Sequence, residues 1–310
     1  MAVKTVLQEI KHFIIHLRII YQLVLLSGGY LLAGLFVQEI DLKLFVTYFL
    51  WWHLGLYSGA TAYNSYWDKD EGPIGGIHKP PPMKPWMWGA SWLWMISPLP
   101  VMFIDYNSGS LPLATFILYG TSLFLFWAYS SPILRWKGHP YLSVFVIAIS
   151  TGTNGFLMGY LAAGGDLGAT NFLGATNYMA SVLPYIGASG VALILISLYP
   201  ISQLFQMDED QRRNDRTLAM HIGLNGVRRY YLWTYVVGVI LVATALMYIH
   251  GIFGALFLVG AAVGGALTYR WLLTIKGEPS EYSKVMLIKY ISSASFLSYI
   301  LLMGIYVHIL

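Results

Sequence analysis

Asn64-Ser-Tyr-Trp-Asp68-Lys-Asp70-Glu71 closes the apolar segment 44–63 and sets carboxylates directly against hydrophobic chain. Ionised groups beside lipid are costly to keep, so where they persist they point to function. One other cluster has the same placement, since Asp208-Glu209-Asp210 follows the apolar segment 182–205.

Composition sets the class around these clusters. Of the 310 residues, 57% are hydrophobic and 10% charged, against about 45–50% and about 25% in an average soluble domain. The chain reads as an all-α, polytopic membrane bundle. At about 20 residues per crossing it has room for about nine transmembrane helices and no separate soluble domain, so 1–310 reads as a single integral-membrane domain. Gly, Pro and charged breaks delimit predicted spans at 17–37, 44–63, 86–104, 111–129, 141–163, 182–205, 230–249, 252–274 and 288–308. Ahead of them, Leu7, Ile10 and Ile14 at helical spacing beside Lys4, Lys11 and His12 predict a helix lying on the membrane surface. No small-residue cleavage site follows it, so no signal peptide is expected.

If the spans alternate from a cytoplasmic N-terminus, Lys43 alone of the 18 Lys and Arg residues falls outside, leaving 17 inside. So strong a bias is what the positive-inside rule demands, and it predicts a cytoplasmic N-terminus and a C-terminus on the opposite side. Both acidic clusters then share the cytoplasmic face with the loops 64–85, 130–140 and 206–229. The outer connections, Asp105 to Ser110 and the Gly/Ala/Thr/Asn-rich stretch 164–178, are short or bland. The net charge of +4 is accounted for by this bias and calls for no nucleic acid. Zero cysteines exclude disulfides, iron–sulfur clusters and thiol catalysis.

Two acidic clusters at one membrane surface suggest a shared cation site. In the first, Asn64, Asp68 and Glu71 form one stripe if the helix continues to Gly72-Pro73, with Asp70 pointing elsewhere. In the second, Asp208 and Glu209 each precede an arginine by four residues, Arg212 and Arg213, which is the favourable order for surface ion pairs. Asp210 has Asn214 at that spacing and lies on a stripe with Gln203 and Gln206. It is the acid left needing a cation, so Asp210 leads as a metal ligand here, with Asp208 second. Oxygen ligands of this kind suit magnesium, which commonly binds one or two carboxylates plus substrate phosphates and water. A third element, Tyr129-Ser-Ser-Pro132-Ile-Leu-Arg135-Trp-Lys137, supplies what a diphosphate requires, a guanidinium fork and a point charge. Lys79 and Lys84 could close over the same anion. For any one of these cations alone, positive-inside anchoring is the ordinary explanation.

The ordered set Asn64-xxx-Asp68, Tyr129-Ser-x-Pro132-xx-Arg135-x-Lys137, then an acidic helix end followed by Arg216-Thr217, resembles the UbiA superfamily of intramembrane prenyltransferases over essentially the whole chain. The family's first motif is written NDxxDxxxD and its second DxxxD. Here Ser65 stands for the second residue of the first motif and Gly72 for its last Asp, so Asp70 or Glu71 would have to substitute. Anchored on Thr217, the second motif runs from Gln206 to Asp210. The resemblance implies a bundle around a central cavity, magnesium as cofactor, and an isoprenyl diphosphate at the cytoplasmic mouth with its tail inside, open to the bilayer.

On that reading Asn64, Asp68 and Asp210 are the catalytic candidates. Asn64, Asp68, Asp70, Glu71, Gln206, Asp208 and Asp210 are the candidate metal ligands. Arg18, Tyr63, Lys79, Tyr129, Arg135, Lys137, Asn154, Gln203 and Arg216 are the candidate substrate contacts. Fixed cations and metal would stabilise the leaving diphosphate. The allylic cation left behind must be kept from water over aromatic faces, for which Tyr63, Tyr66 and Tyr129 are singled out. Among polar residues within spans, Asn154 needs a cavity or another helix, and Arg18 could equally reach the diphosphate or snorkel to headgroups. Three classes compete: prenyl transfer to an unidentified acceptor, a terpene cyclase on the same scaffold, and a transporter. A coupled carrier would put ionisable residues near mid-membrane in repeated halves, whereas acids here sit at segment ends and no repeat of about 20–50 residues is found.

Overall fold

The computed structural model describes residues 2–167 and 178–309, so part of the bland outer stretch 164–178 lies outside the described residues. Among the described residues the chain is helical throughout, with a single isolated β-bridge between Ile74 and Ile77. Helix α1 (Ala2–His16) is followed by Arg18 in the left-handed region and a short α2 (Ile19–Tyr21) that widens into a π-helical stretch, Gln22–Leu26. Then come α3 (Gly28–Ala33), α4 (Leu42–Leu50), a second π-helical stretch (Trp51–Tyr57) and α5 (Ser58–Asp68). The pair α6 (Pro85–Ile96) and α7 (Leu99–Asn107) precedes α8 (Ala114–Ser130). Helix α9 (Pro140–Val146) passes through a third π-helical stretch (Ile147–Thr153) into α10 (Asn154–Ala162). Helix α11 (Tyr178–Leu198), a 3₁₀ segment (Pro200–Gln206) and α12 (Met207–Arg212) lead to α13 (Leu218–His250), kinked at Gly223. The chain closes with α14 (Ile252–Leu272) and α15 (Tyr282–His308).

Six helices among the described residues are long and apolar enough to cross a membrane, seven with the bent pair formed by 5–26 and 28–36. The other two segments expected from the sequence are helical but fall short of that test. The segment 42–68 takes on Ser58, Thr61, Asn64, Ser65 and Asp68 in its last third, and Ala114–Ser130 has 17 residues. Helix α1 leaves Val6, Leu7, Ile10 and Ile14 exposed, as a helix lying on the bilayer would. It docks against the start of α6 through Phe13 on Trp86 and the Trp86 Nε1–H donated to Glu9.

The core is aromatic around α4, α5 and α8, where Trp52, Tyr57, Tyr119 and Met95 are buried, and aliphatic where α10, α11, α13 and α14 meet. All three π-helical stretches contribute residues to the central cavity: Gln22 and Leu26, Tyr57, and Ile147 and Thr151. A wider turn rotates the following residues off the α-helical register and recurs at functional sites.

Candidate active site

Three connections between helices meet at one end of the bundle. Arg135, itself in a left-handed conformation (φ 43°), donates from Nε to Asp215 Oδ1 at 2.7 Å and from Nη2 to Oδ2 at 2.8 Å. Its Nη1 also lies 3.9 Å from Asp68. Gly138 permits this clasp, because a Cβ there would stand 2.6 Å from Asp215 Oδ1, and the backbone N–H of Arg216 donates to the Gly138 carbonyl. Lys137, buried, forms an ion pair with the equally buried Asp68. Arg213 bridges Asp70 at 2.9 Å and Glu209, and Glu209 in turn accepts the Glu71 backbone N–H at 2.9 Å. The pairs thus link the end of α5 and the loop after it, the loop 131–139, and α12 with the turn 213–217, and fix their relative positions.

These loops roof a cavity of about 240 Å³. Its polar lining includes Asn64, Asp68, Asp70, Gln206, Asp210 and Asp215 on the acidic or amide side and Arg18, Lys137, Arg213 and Lys289 on the basic side. Asn64 Oδ1 accepts from Ser130 Oγ at 3.0 Å, and Gln206 Nε2 donates to the Pro73 carbonyl at 3.1 Å. Gln203 lines the cavity while its Oε1 accepts from the Ala219 N–H, which anchors the start of α13. Tyr129 and Tyr199 are linked hydroxyl to hydroxyl at 2.9 Å along the same wall. Burial first, and the neighbouring negative charge of Asp68 second, push the Asp70 carboxyl above the usual carboxylate range, against the pull of Arg213.

Leu25, Leu26, Thr151, Leu195, Leu198 and Ser293 line both this cavity and a second one of about 730 Å³. The second is walled by α11, α13, α14 and α15 with apolar residues including Val191, Phe257 and Phe296, and by Gly260 and Gly264. A charged mouth therefore opens into a larger apolar lobe.

The residues expected from the sequence divide cleanly. Asn64, Asp68, Asp70, Gln206 and Asp210, with Arg18, Tyr129, Lys137 and Gln203, line the charged cavity. Arg135 stands behind it, holding Asp215. Glu71 does not continue the Asn64–Asp68 stripe, because α5 stops at Asp68 with Lys69 left-handed (φ 50°). That turn brings Asp70 inward and leaves Glu71 exposed. Position 72 is occupied from the other side, since a Cβ on Gly72 would lie 2.8 Å from Glu209 Oε2. Asp208, Lys79 and Arg216 are exposed and off the cavity lining. Tyr63 is buried in the aromatic core against Trp67 and Trp92, off the lining. Tyr66, half-buried against Trp67, is off it as well. Asn154 donates to the Leu118 carbonyl, Thr121 and Ser122, tying α10 to α8.

The oxygen donors on the cavity fit magnesium by chemistry. No three Asp, Glu or His side chains among the described residues converge tightly enough to hold an ion alone. A metal here would share its shell with water and phosphate oxygens, which is magnesium's ordinary mode.

An all-helical membrane bundle with a charged, oxygen-rich mouth above an apolar lobe is the architecture of an intramembrane enzyme for amphiphilic substrates. The sequence profile of the UbiA prenyltransferase family matches residues 23–296, and the chain belongs to that family. It is a multi-pass integral membrane protein. Among solved structures it is similar to a UbiA homolog from Archaeoglobus fulgidus bound to GPP and Mg2+, at 15% identity and a TM-score of 0.63 over 94% of this chain and 98% of the other. The same homolog bound to DMAPP and Mg2+ gives 14% identity and 0.61 over 93% and 98%. A digeranylgeranylglyceryl phosphate synthase gives 19% identity and 0.60 over 95% and 98%. No curated protein sequence matches.

Proposed function

We propose that this protein transfers a prenyl chain from an isoprenyl diphosphate to an acceptor within the membrane, releasing diphosphate, with magnesium at the mouth. One observation carries the reading: three loops locked by ion pairs gather oxygen donors and cations on a polar cavity that runs into an apolar lobe. The head of such a donor is charged and its tail is hydrocarbon, and the two cavities match those two chemistries.

Asn64, Asp68, Asp70, Gln206 and Asp210 would hold the metal. Magnesium bound there would neutralise charge on the leaving group. Lys137 and Arg213 are already fixed against acids in the same lining, so they meet developing phosphate charge with little reorganisation. The C1–O bond to diphosphate breaks with its electron pair staying on the phosphate oxygen. The acceptor's nucleophilic atom bonds to C1 and sheds one proton. The Tyr129–Tyr199 pair offers aromatic faces on the wall of the charged cavity, and the apolar walls keep water from the allylic cation.

Nine crossings with the mouth at the cytoplasmic face and the C-terminus opposite complete the proposal, supported by the basic residues counted above. Purified protein given isoprenyl diphosphates and magnesium should release pyrophosphate only when an acceptor is added. Release with a hydrocarbon product and no acceptor would mean cyclisation instead.

A further inference from the structure

The two acidic clusters do share a cation, and it is one of the chain's own. The Arg213 guanidinium stands between Asp70 of the first cluster, at 2.9 Å, and Glu209 of the second. All three are largely withdrawn from water, with side-chain exposures of 18% for Arg213, 4% for Asp70 and 11% for Glu209. Glu209 Oε1 also accepts the Glu71 backbone N–H at 2.9 Å. An acid buried against a fixed counter-charge has little to give a second cation, because displacing the first would strand a guanidinium.

The positions at which the family's motifs carry acids point the same way. Of positions 65, 68, 72, 206 and 210, only Asp68 and Asp210 are carboxylates here. Ser65 Oγ accepts from the Arg18 guanidinium at 2.9 Å, and Gln206 donates its amide to the Pro73 carbonyl at 3.1 Å. A side chain at 72 would have to displace Glu209, whose Oε2 lies 2.8 Å from where its Cβ would stand. The two acids that remain are the less committed ones. Asp68 meets Lys137 and Arg135 through Oδ1 alone, which leaves Oδ2. Asp210 lines the cavity, and among the described residues no cation lies within ion-pair distance of it.

We propose that the mouth takes a single divalent ion, held by Asp210, Asn64 and Asp68 with diphosphate and water oxygens, and that Arg213 supplies in fixed form the positive charge a more acidic mouth would draw from further metal. This rests on the prenyl-transfer reading and deepens it, by naming the number of ions and what stands in for the rest. One or two carboxylates plus phosphate oxygens are what one magnesium ion commonly takes, and the acids left open suffice for one such shell. Arg213 lines the cavity with two of its nitrogens against Asp70 and Glu209. A guanidinium carries five N–H donors, so others remain for a phosphate oxygen.

The test counts ions on the full chain in zwitterionic nanodiscs. Mn2+ is the probe, followed by the paramagnetic resonance signal of the free ion, and geranyl, farnesyl and geranylgeranyl S-thiolodiphosphates serve as donor analogues that do not turn over. With the analogue it binds best, the parent protein should take up one Mn2+ per chain. Asp210→Asn should weaken that ion by at least the roughly 10- to 100-fold typical of losing a group that supports a metal site. Arg213→Gln leaves Asp70 and Glu209 without their shared cation, and should take up a second Mn2+. At metal concentrations that fill only the first place it should lose roughly 10- to 100-fold in analogue affinity, the range for a hydrogen bond to a charged group. Arg213→Lys should keep the count at one, which separates charge from folding. Two or more ions on the parent protein would overturn the proposal. So would analogue binding that needs no ion, or an Arg213→Gln protein that still takes up only one. A parent protein that binds none of the analogues, with or without Mn2+, would overturn the prenyl-transfer reading beneath it.

Discussion

The charged mouth and the apolar lobe are neighbouring spaces built on opposite principles. The mouth, about 240 Å³, is made of helix ends and the loops between them, held by ion pairs between segments distant in sequence. The lobe, about 730 Å³, is made of helix faces and small residues, with Gly260 and Gly264 leaving open space where a Cβ would stand. Chemistry on a diphosphate needs groups fixed in place before the bond breaks. Holding a hydrocarbon tail needs only volume and exclusion of water. Substitutions at the mouth should therefore act on rate, and substitutions in the lobe on which donor is accepted.

The largest effect is expected at the mouth. Asp68→Asn removes the charge opposite Lys137 and one oxygen of the proposed metal shell, and should lower pyrophosphate release by about 10² to 10³-fold, the range for losing one group that stabilises a leaving group. Affinity for the donor analogue without magnesium should change far less. If release persisted at the parent rate, the mouth would not be the reacting end. Gly138→Ala comes next. Its methyl would stand 2.6 Å from Asp215 Oδ1 and break the Arg135 clasp, costing about 1–3 kcal/mol of stability and most of the activity. Thermal unfolding and turnover measured together would check it, and an unshifted midpoint would contradict the packing argument.

In the lobe, a Cβ at Gly264 meets nothing within 4 Å, so Gly264→Leu starts into open space and should leave folding intact. It should shift donor preference towards shorter chains by roughly tenfold in relative kcat/KM, as expected for methylene-scale changes in an apolar pocket. A panel of donors of increasing length would reveal this, and an unchanged preference would move the tail elsewhere. The smallest effect is expected on the aromatic wall of the charged cavity, where Tyr129→Phe removes one hydroxyl partner of Tyr199 at a cost of about 0.5–1.5 kcal/mol. The aromatic face survives, so turnover should fall only slightly. Tyr129→Ala should fall further if the ring faces the cation.

The same contrast explains what could be read from sequence. The membrane class, the helical segments and the shared face of the two acidic clusters were legible because they are local or compositional. Asn64 and Asp68 share a helix face by spacing, and Gln203, Gln206 and Asp210 reach one cavity along a 3₁₀ segment and the helix that follows. Asp70 was not legible as an inward residue, because the helix ends at a left-handed lysine where no glycine or asparagine announces the stop. Arg213 looked satisfied by Glu209 four residues before it, yet it also reaches Asp70 from more than a hundred residues away. Asp215 and Lys289 carried no signal at all: one is an isolated acid beside a basic run, and the other passes for an anchoring lysine until the last helix is seen to turn it inward. Tyr63 and Asn154 were chosen for residue type, and packing uses both between helices.

The measurement that bears most directly on the account is pyrophosphate release by the purified protein in lipid. A series of isoprenyl diphosphates would be supplied with and without magnesium and with and without a panel of acceptors, and lipid products would be identified by mass. The account predicts release that requires both magnesium and acceptor, with a product whose mass is acceptor plus prenyl group minus one hydrogen. Release independent of acceptor, or none with any donor in the presence of magnesium, would contradict it.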